Sequence, residues 1–381
     1  SDSRSHSQSH IFYFNLDVAQ DREMFNSQTE FIKFLKQKSW REKIYIFIDE
    51  AQKVKEGGRF FKGIYDSRLN VKIILTGSSV LEIKAKMQES LTGRKRLFKL
   101  FPLSFLEILK AKNDNLYNLV LSKKNIIQYD HQQILNLFYE YCVFGGYPKV
   151  FLSPNWQEKT EILTEIYSSY IEKDIIGFLK IQNEQAFLKL IKLLASQTGN
   201  LINLNELATI INTNRQTVER YLLNLEKTFI IYNLPPFFNN PRQEIIKASK
   251  IFFIDNGLRN LALNNLQPID INSRSDKGAL LENIILKELL ILQSQKYFNL
   301  HFWRTKSKAE VDFIIEKGLK IIPLEVKSHL KSPKLSSSFL GFIQRYNPPQ
   351  GLIVNLNYQG DKQVKQTKAH FIYPYELNHY L

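Results

Sequence analysis

Residues 44–52 read Ile44-Tyr45-Ile46-Phe47-Ile48-Asp49-Glu50-Ala51-Gln52. The apolar and aromatic run from Ile44 to Ile48 predicts a strand buried on both faces, as in a parallel sheet. It ends in two adjacent acids, Asp49 and Glu50. Acids at the carboxyl end of a buried parallel strand lie where α/β sheets bind their ligands.

The neighbouring sequence extends the sheet. Residues 11–17 read as a strand, and residues 29–39 as an amphipathic helix with Phe31, Phe34 and Leu35 on one face. Phe60, Phe61, Ile64 and Tyr65 mark a further helix. Val71 to Leu75 predict a second buried strand, ending in Thr76-Gly77-Ser78-Ser79. Another strand is expected near Leu97–Phe101. Strands that alternate with helices imply a parallel sheet. Residues 105–180 read as mostly helical, interrupted by Gly145-Gly146-Tyr147-Pro148.

Between 201 and 235 the pattern changes. Leu204 to Ala208 open a short helix, and Asn212 to Arg215 make a turn. Val218, Tyr221, Leu222 and Leu225 then recur at helical spacing before a strand at Phe229-Ile230-Ile231. This order predicts a winged helix-turn-helix. Arg215, Gln216 and Arg220 on its second helix are of the residue types that read base edges or bind phosphates. The same element also serves as an inter-domain adaptor that touches no DNA, and both readings stand at this level.

Composition bounds the rest. A chain of 381 residues with 44% apolar content is long enough for more than one core. The single cysteine, Cys142, excludes an internal disulfide and fits a reducing cytoplasm. No apolar run is long enough for a membrane helix, and Ser1 to His10 lack a secretion-signal core. The net charge of +15 fits a polyanionic partner such as DNA, or a compositional bias toward lysine. The seven histidines show no zinc-site spacing.

A second constellation lies near the carboxyl end. Residues 310–328 read as a β-hairpin turning at Glu316-Lys317-Gly318, with Asp312 near the start of one strand. Glu325 and Lys327 lie two apart on the next, on a shared face. Glu282 falls in an amphipathic helix over about 279–292. Carboxylates are hard oxygen donors suited to Mg²⁺.

Taken together, these segments resemble prokaryotic AAA+-type ATPases with a winged-helix linker and a carboxyl-terminal domain similar to PD-(D/E)XK nucleases. The residues that carry the resemblance are Ile48-Asp49-Glu50-Ala51-Gln52, Leu75-Thr76-Gly77-Ser78-Ser79, Leu91-Thr92-Gly93-Arg94 and Phe101-Pro102-Leu103-Ser104-Phe105. Gly145-Gly146-Tyr147-Pro148, Phe253-Ile254-Asp255-Asn256-Gly257-Leu258 and the 310–328 cluster complete them. The implied fold is α/β and multidomain. Residues 1–110 would be a partial P-loop NTPase sheet, 111–184 a helical lid, 185–245 the winged helix, and 246–381 a restriction-endonuclease-like α/β domain.

The resemblance also implies roles. Asp49 would hold Mg²⁺ beside ATP, and Glu50 would orient the attacking water. Thr76, Ser78 and Ser79 would sense the γ-phosphate. Arg94 would act as an arginine finger, or is a plain surface residue. Asp312 and Glu325 would bind metal, Glu282 would support it, and Lys327 would be the catalytic cation. DNA is the expected partner, with a homo-oligomer or a protein partner beside it. The departure from the family is that G-x-x-x-x-G-K-[ST] does not occur in this sequence. The lysine and backbone N–H groups that cradle phosphates are therefore not among these residues. Residues 1–381 read as part of a longer protein, or as one completed from elsewhere, and are expected not to turn over ATP alone. The competing expectations are a non-catalytic DNA- or protein-binding module, and a metal-dependent nuclease with a scaffold ATPase part.

Overall fold

The computed structural model describes residues 10–38, 43–77, 91–122, 126–177, 181–237, 249–266 and 271–381. The chain divides into two compact units, Ser1–Phe98 and Lys99–Leu381.

The first unit is built on a parallel sheet of β1 (Ile11–Asn15), β2 (Ile44–Asp49) and β3 (Val71–Leu75), in that order. Helices α1 (Gln28–Lys38) and α2 (Gly57–Asp66) follow β1 and β2. Their apolar sides pack on one face of the sheet, where Ile44, Ile46, Ile48, Phe31, Leu35, Phe61 and Ile64 are buried. Phe14, Phe25, Phe31 and Phe60 interlock there with ring centroids 4.7–5.9 Å apart. Each such pair adds roughly 0.5–1.5 kcal/mol beyond its buried area.

Burial of β2 on both faces is not what the fold shows. Tyr45 and Phe47 are 38% and 37% exposed, because among the described residues the helices cover only the isoleucine face. A strand near Leu97–Phe101 does not form either. Residues 95–101 lie outside any strand, and Leu97, Phe98 and Leu100 are exposed.

In the second unit, α3 (Phe105–Lys112) and α4 (Gln128–Phe144) lead to α5 (Glu184–Ser196), α6 (Leu204–Ile210) and α7 (Arg215–Lys227). Asn203 and Asn214 cap α6 and α7 by accepting backbone N–H groups. A two-stranded antiparallel sheet of β4 (Ile231–Leu234) and β5 (Lys250–Phe253) follows, then α8 (Asn256–Ala262). The long α9 (Lys277–Lys296) precedes β6 (Asn299–Arg304), β7 (Glu310–Lys317) and β8 (Lys320–Lys327). Next come α10 (Ser337–Tyr346), β9 (Gln350–Asn355), β10 (Gly360–Val364) and β11 (Thr367–Ile372).

These strands form a six-stranded mixed sheet in the order β10-β11-β9-β8-β7-β6. Strands β6, β7 and β8 are antiparallel neighbours, and β8 pairs parallel with β9. One face packs on the leucines and isoleucines of α9, the other on Phe339, Phe342 and Ile343 of α10.

A buried polar network joins the preceding helices and β5 to α9. The Asp255 carboxylate accepts from the backbone N–H of Gly146 and Gly257, each at 2.8 Å, and pairs with Lys287 at 3.3 Å. Asn256 and Asn260 donate to the carbonyl of Cys142, and Asn283 brackets the backbone of Phe253. Gly145 has φ +74°, and a Cβ there would overlap the Asp255 carboxylate.

Candidate functional site

Two acidic sites can be assembled from these elements, one in each unit. In the first unit, β2 carries Asp49 to the carboxyl end of the central strand, with β1 and β3 on either side. Its carboxylate accepts hydrogen bonds from the Thr76 hydroxyl, the Tyr13 hydroxyl (3.2 Å) and the Glu50 backbone N–H (3.2 Å). Pairing continues past the strands, since Thr76 N–H donates to Ile48 and Ala51 N–H to Thr76. Glu50 adopts φ +55°, a left-handed conformation uncommon for a non-glycine residue, and takes a hydrogen bond from Gln52. The backbone thus turns sharply where the acids leave the sheet. Asp49 and the Thr76 hydroxyl are oxygen donors of the kind that hold Mg²⁺.

Arg94 is not brought to this end. Its guanidinium pairs with Asp66 at 3.4 Å and lies 5.7 Å from the Tyr65 ring centre. Asp66 closes α2, after which the chain turns into the first residue of β3, so this pair sits toward the amino ends of the strands. Ser78 and Ser79 lie outside the described residues. Tyr13 is an Asp49 partner that sequence reasoning misses, and nothing in the local pattern of β1 distinguishes it.

The second site gathers Glu282 from α9, Asp312 from β7, and Glu325 and Lys327 from β8. Its geometry depends on a β-bulge. The register of β7 on β6 shifts between His301 and Trp303, opposite Asp312. Bulges re-aim side chains, and the Asp312 carboxylate here accepts the Val326 backbone N–H at 2.8 Å. Glu325 is buried and pairs with Lys327 at 2.9 Å.

Charge and burial oppose each other at these acids. Burial first, and then the charge of Asp312, push Glu282 up to about 8. Burial also pushes Asp312 up to about 6, with the charge of Glu325 adding to it against Lys250, the Val326 hydrogen bond and Lys327. Burial lowers the Lys327 ammonium, but Glu325, Asp312 and Glu282 more than offset this and hold it above its ordinary value.

Lys250 and Glu310 extend the cluster, and sequence reasoning gives neither of them a role there. Lys250, the first residue of β5, is 2% exposed and ion-paired to Glu310. Arg304 takes the other Glu310 oxygen at 3.2 Å. The sequence holds one signal for Lys250: a lysine opening an otherwise wholly apolar strand, Ile251-Phe252-Phe253. Among the described residues, no group of three or more His, Cys, Asp or Glu is arranged to hold a metal ion. Glu325 is turned to Lys327 and Glu310 to Lys250, so as placed the carboxylates do not fit a divalent cation.

Arg215, Gln216 and Arg220 are exposed along α7. Arg215 bonds Glu219 at 2.8 Å, and the Arg220 guanidinium lies 5.8 Å from the Tyr221 ring centre.

Comparison with known proteins follows the same division. Residues 2–109 match a family model described as an AAA domain. Residues 135–269 match a domain of unknown function, DUF8612, and residues 277–377 another, DUF4143. The amino-terminal match supports an AAA-type, ATPase-like family and, with it, nucleotide binding. An uncharacterized protein of Haemophilus influenzae is 28% identical over 83% of this chain and 74% of its own length. One from Methanocaldococcus jannaschii is 29% identical over 71% of this chain and 58% of its own length. One from Mycobacterium tuberculosis is 23% identical over 77% of this chain and 60% of its own length. The chain thus spans between 58% and 74% of these relatives. A Vibrio cholerae crystal structure, protein VC1899, is 12% identical and covers 92% of this chain and 89% of that one. Its TM-score of 0.18 carries no argument. Among the described residues no helix is long and apolar enough to cross a membrane.

Proposed function

We propose that the chain is the larger part of a DNA-associated, AAA-type ATPase whose carboxyl-terminal domain is nuclease-like. The observation that carries the ATPase reading is Asp49 at the end of the central parallel strand, held by Thr76 from the end of β3 and followed by Glu50 in a left-handed turn. Asp49 and Thr76 would hold Mg²⁺, which when bound neutralises phosphate charge. Glu50 would orient the attacking water through its carboxylate. The cradle for the phosphates is not among these residues, so they supply the acid half of an ATP site.

The DNA reading is supported by the helix-turn-helix, its antiparallel strand pair and the exposed Arg215, Gln216 and Arg220. Equilibrium binding of duplex DNA across a salt series tests it. Affinity should fall steeply with salt, and Arg215→Ala with Arg220→Ala should reduce the log–log slope by about 1 for each phosphate left without its cation. Absence of salt-dependent binding would remove DNA from the proposal.

The nuclease-like reading is favoured by the order helix, three antiparallel strands, helix, parallel strand over α9 to β9. Asp312, Glu325 and Lys327 lie on the second and third of those strands. Mn²⁺-dependent nicking of supercoiled DNA, lost in Asp312→Ala, would establish cleavage. Equal products from wild type and Asp312→Ala would reduce the domain to a binding module.

A further inference from the structure

We propose that the cavity between α4 and the carboxyl ends of β9 and β11 is a nucleobase-binding site. None of its lining residues belongs to either acidic site. The inference rests on neither the ATPase nor the nuclease-like reading.

The sheet dictates where the cavity falls. Strands β9 and β11 are parallel neighbours, with Gln350 opposite Lys368 and Val354 opposite Ile372. The segments that leave them therefore emerge at the same end, where α/β sheets open crevices for ligands. Leu356 to Gln359 leave β9, and Tyr373 to Glu376 leave β11. The helix Asp114–Leu121 and α4 supply the opposite wall through Val120, Gln128 and His131. The enclosed space is about 750 Å³, inside the range of about 300–1,000 Å³ typical of small-molecule sites. Its rim is fixed. Buried Asn355 accepts from the backbone N–H of Asn357 at 3.1 Å and of Tyr358 at 2.7 Å. The Asn357 side chain exchanges two hydrogen bonds with the Leu330 backbone, and His379 Nε2 lies 3.1 Å from the Val120 carbonyl oxygen.

The lining selects the ligand. Three rings form a ladder along the wall. The centroids of His131 and Tyr373 are 4.2 Å apart, those of Tyr373 and Tyr375 are 5.4 Å apart, and His131 Nδ1 lies 2.9 Å from the Tyr375 hydroxyl. Aromatic side chains and histidine are the platforms on which unstacked bases sit. Gln128 and Gln132 stand at the exposed side of the same cavity. An amide presents a donor and an acceptor side by side, the complement of a base edge. Among the described residues, no lysine or arginine lines the cavity. Its one carboxylate, Glu376, is engaged by Gln359 at 2.6 Å through one oxygen and by the Tyr373 backbone N–H at 2.8 Å through the other. Burial lowers His131 against a hydrogen bond with the Leu356 backbone, which keeps the imidazole neutral near pH 7. Such a lining has nothing to grip a phosphate, and it matches a flat, neutral ring with hydrogen-bonding edges. The ligand is therefore the base itself, carried by a free nucleoside or by an unstacked position of a single strand.

The experiment is calorimetric titration of residues 1–381 with adenosine, guanosine, cytidine and thymidine in turn, with adenosine monophosphate, and with a short single DNA strand of mixed sequence. Saturable binding of at least one nucleoside, or of the strand, is expected. Gln128→Trp and Gln132→Trp place an indole across the cavity from exposed positions of α4, where the fold is not disturbed. Each should weaken that binding by on the order of ten-fold or more, the loss that goes with one displaced base stack. Tyr375→Phe keeps the ring but removes the hydroxyl beside His131, and should weaken binding less than either tryptophan. Binding of nucleosides identifies the free compound as the source of the base; binding of the strand alone identifies an unstacked strand position. The proposal is overturned if no probe binds, if both tryptophan variants bind as wild type does, or if the monophosphate binds more tightly than adenosine.

Discussion

Asp255→Asn is the substitution with the best-defined cost. The Asp255 side chain is fully buried and has three partners: Lys287, at 3.3 Å, and the backbone N–H groups of Gly146 and Gly257. Lys287 is equally buried, and its ammonium also lies 4.5 Å from the centre of the Tyr141 ring. Asparagine keeps the shape and one acceptor oxygen but removes the charge. Breaking one side of a buried pair costs about 3–5 kcal/mol, because the remaining ion is left without compensation. The Tyr141 ring offsets part of this, so about 3–4 kcal/mol is expected.

Urea unfolding followed by tryptophan fluorescence reads this directly, since Trp156 and Trp303 lie in the same compact unit. With an m-value of roughly 3 kcal/mol/M, the midpoint should drop by about 1 M. Adding Lys287→Met to Asp255→Asn should recover much of the loss, because the uncompensated charge is gone. A midpoint shift below about 0.3 M, or a double variant weaker than Asp255→Asn, would refute the account of this network.

Two pH-dependent outcomes follow from the other buried groups. Burial works against the Asp276 carboxylate, but hydrogen bonds and charge from Arg274 and Arg259 win and hold it at about 2. A depressed acid contributes stability that is present above its unfolded value near 4 and lost as pH falls toward 2, worth about 2 kcal/mol. Asp276→Asn should be weaker than wild type by that amount at pH 7, and urea midpoints should converge between pH 4 and 2. Glu282 behaves oppositely. Its folded value of about 8 lies above the unfolded one, so native stability declines as pH rises from about 4.5 to 8. Glu282→Gln should match wild type near pH 4 and exceed it by on the order of 2–4 kcal/mol at pH 8. A parallel decline in both proteins would contradict the raised value.

What can be read from the sequence is local. The acid-tipped strand, the hairpin of β7 and β8, and the helix carrying Glu282 each follow from residue periodicity within one element. Helix-turn-helix boundaries fall within a few residues of their expected places, because asparagine caps mark them. Three features are not legible. Burial of β2 on one face depends on which helices cover it, and five apolar residues in a row do not encode that. The run Leu97-Phe98-Lys99-Leu100 has a strand's composition, yet a strand needs a partner, and none pairs with it among the described residues. Lys250 and Glu310 are far apart in sequence, and only the contacts of β5 side chains with Phe302 of β6 and Phe313 of β7 bring them together. The motif Asp255-Asn256-Gly257 stands out in the sequence only through a resemblance. Its structural reason, capping α8 while anchoring Gly146 and Lys287, emerges in three dimensions.

The central claim is that these residues hold the acid half of an ATP site and lack the half that grips phosphate. ATP turnover by purified residues 1–381, alongside Glu50→Gln, measures it most directly. The account predicts no phosphate release above the enzyme-free rate from either protein. Hydrolysis by the wild-type chain that disappears in Glu50→Gln would contradict it.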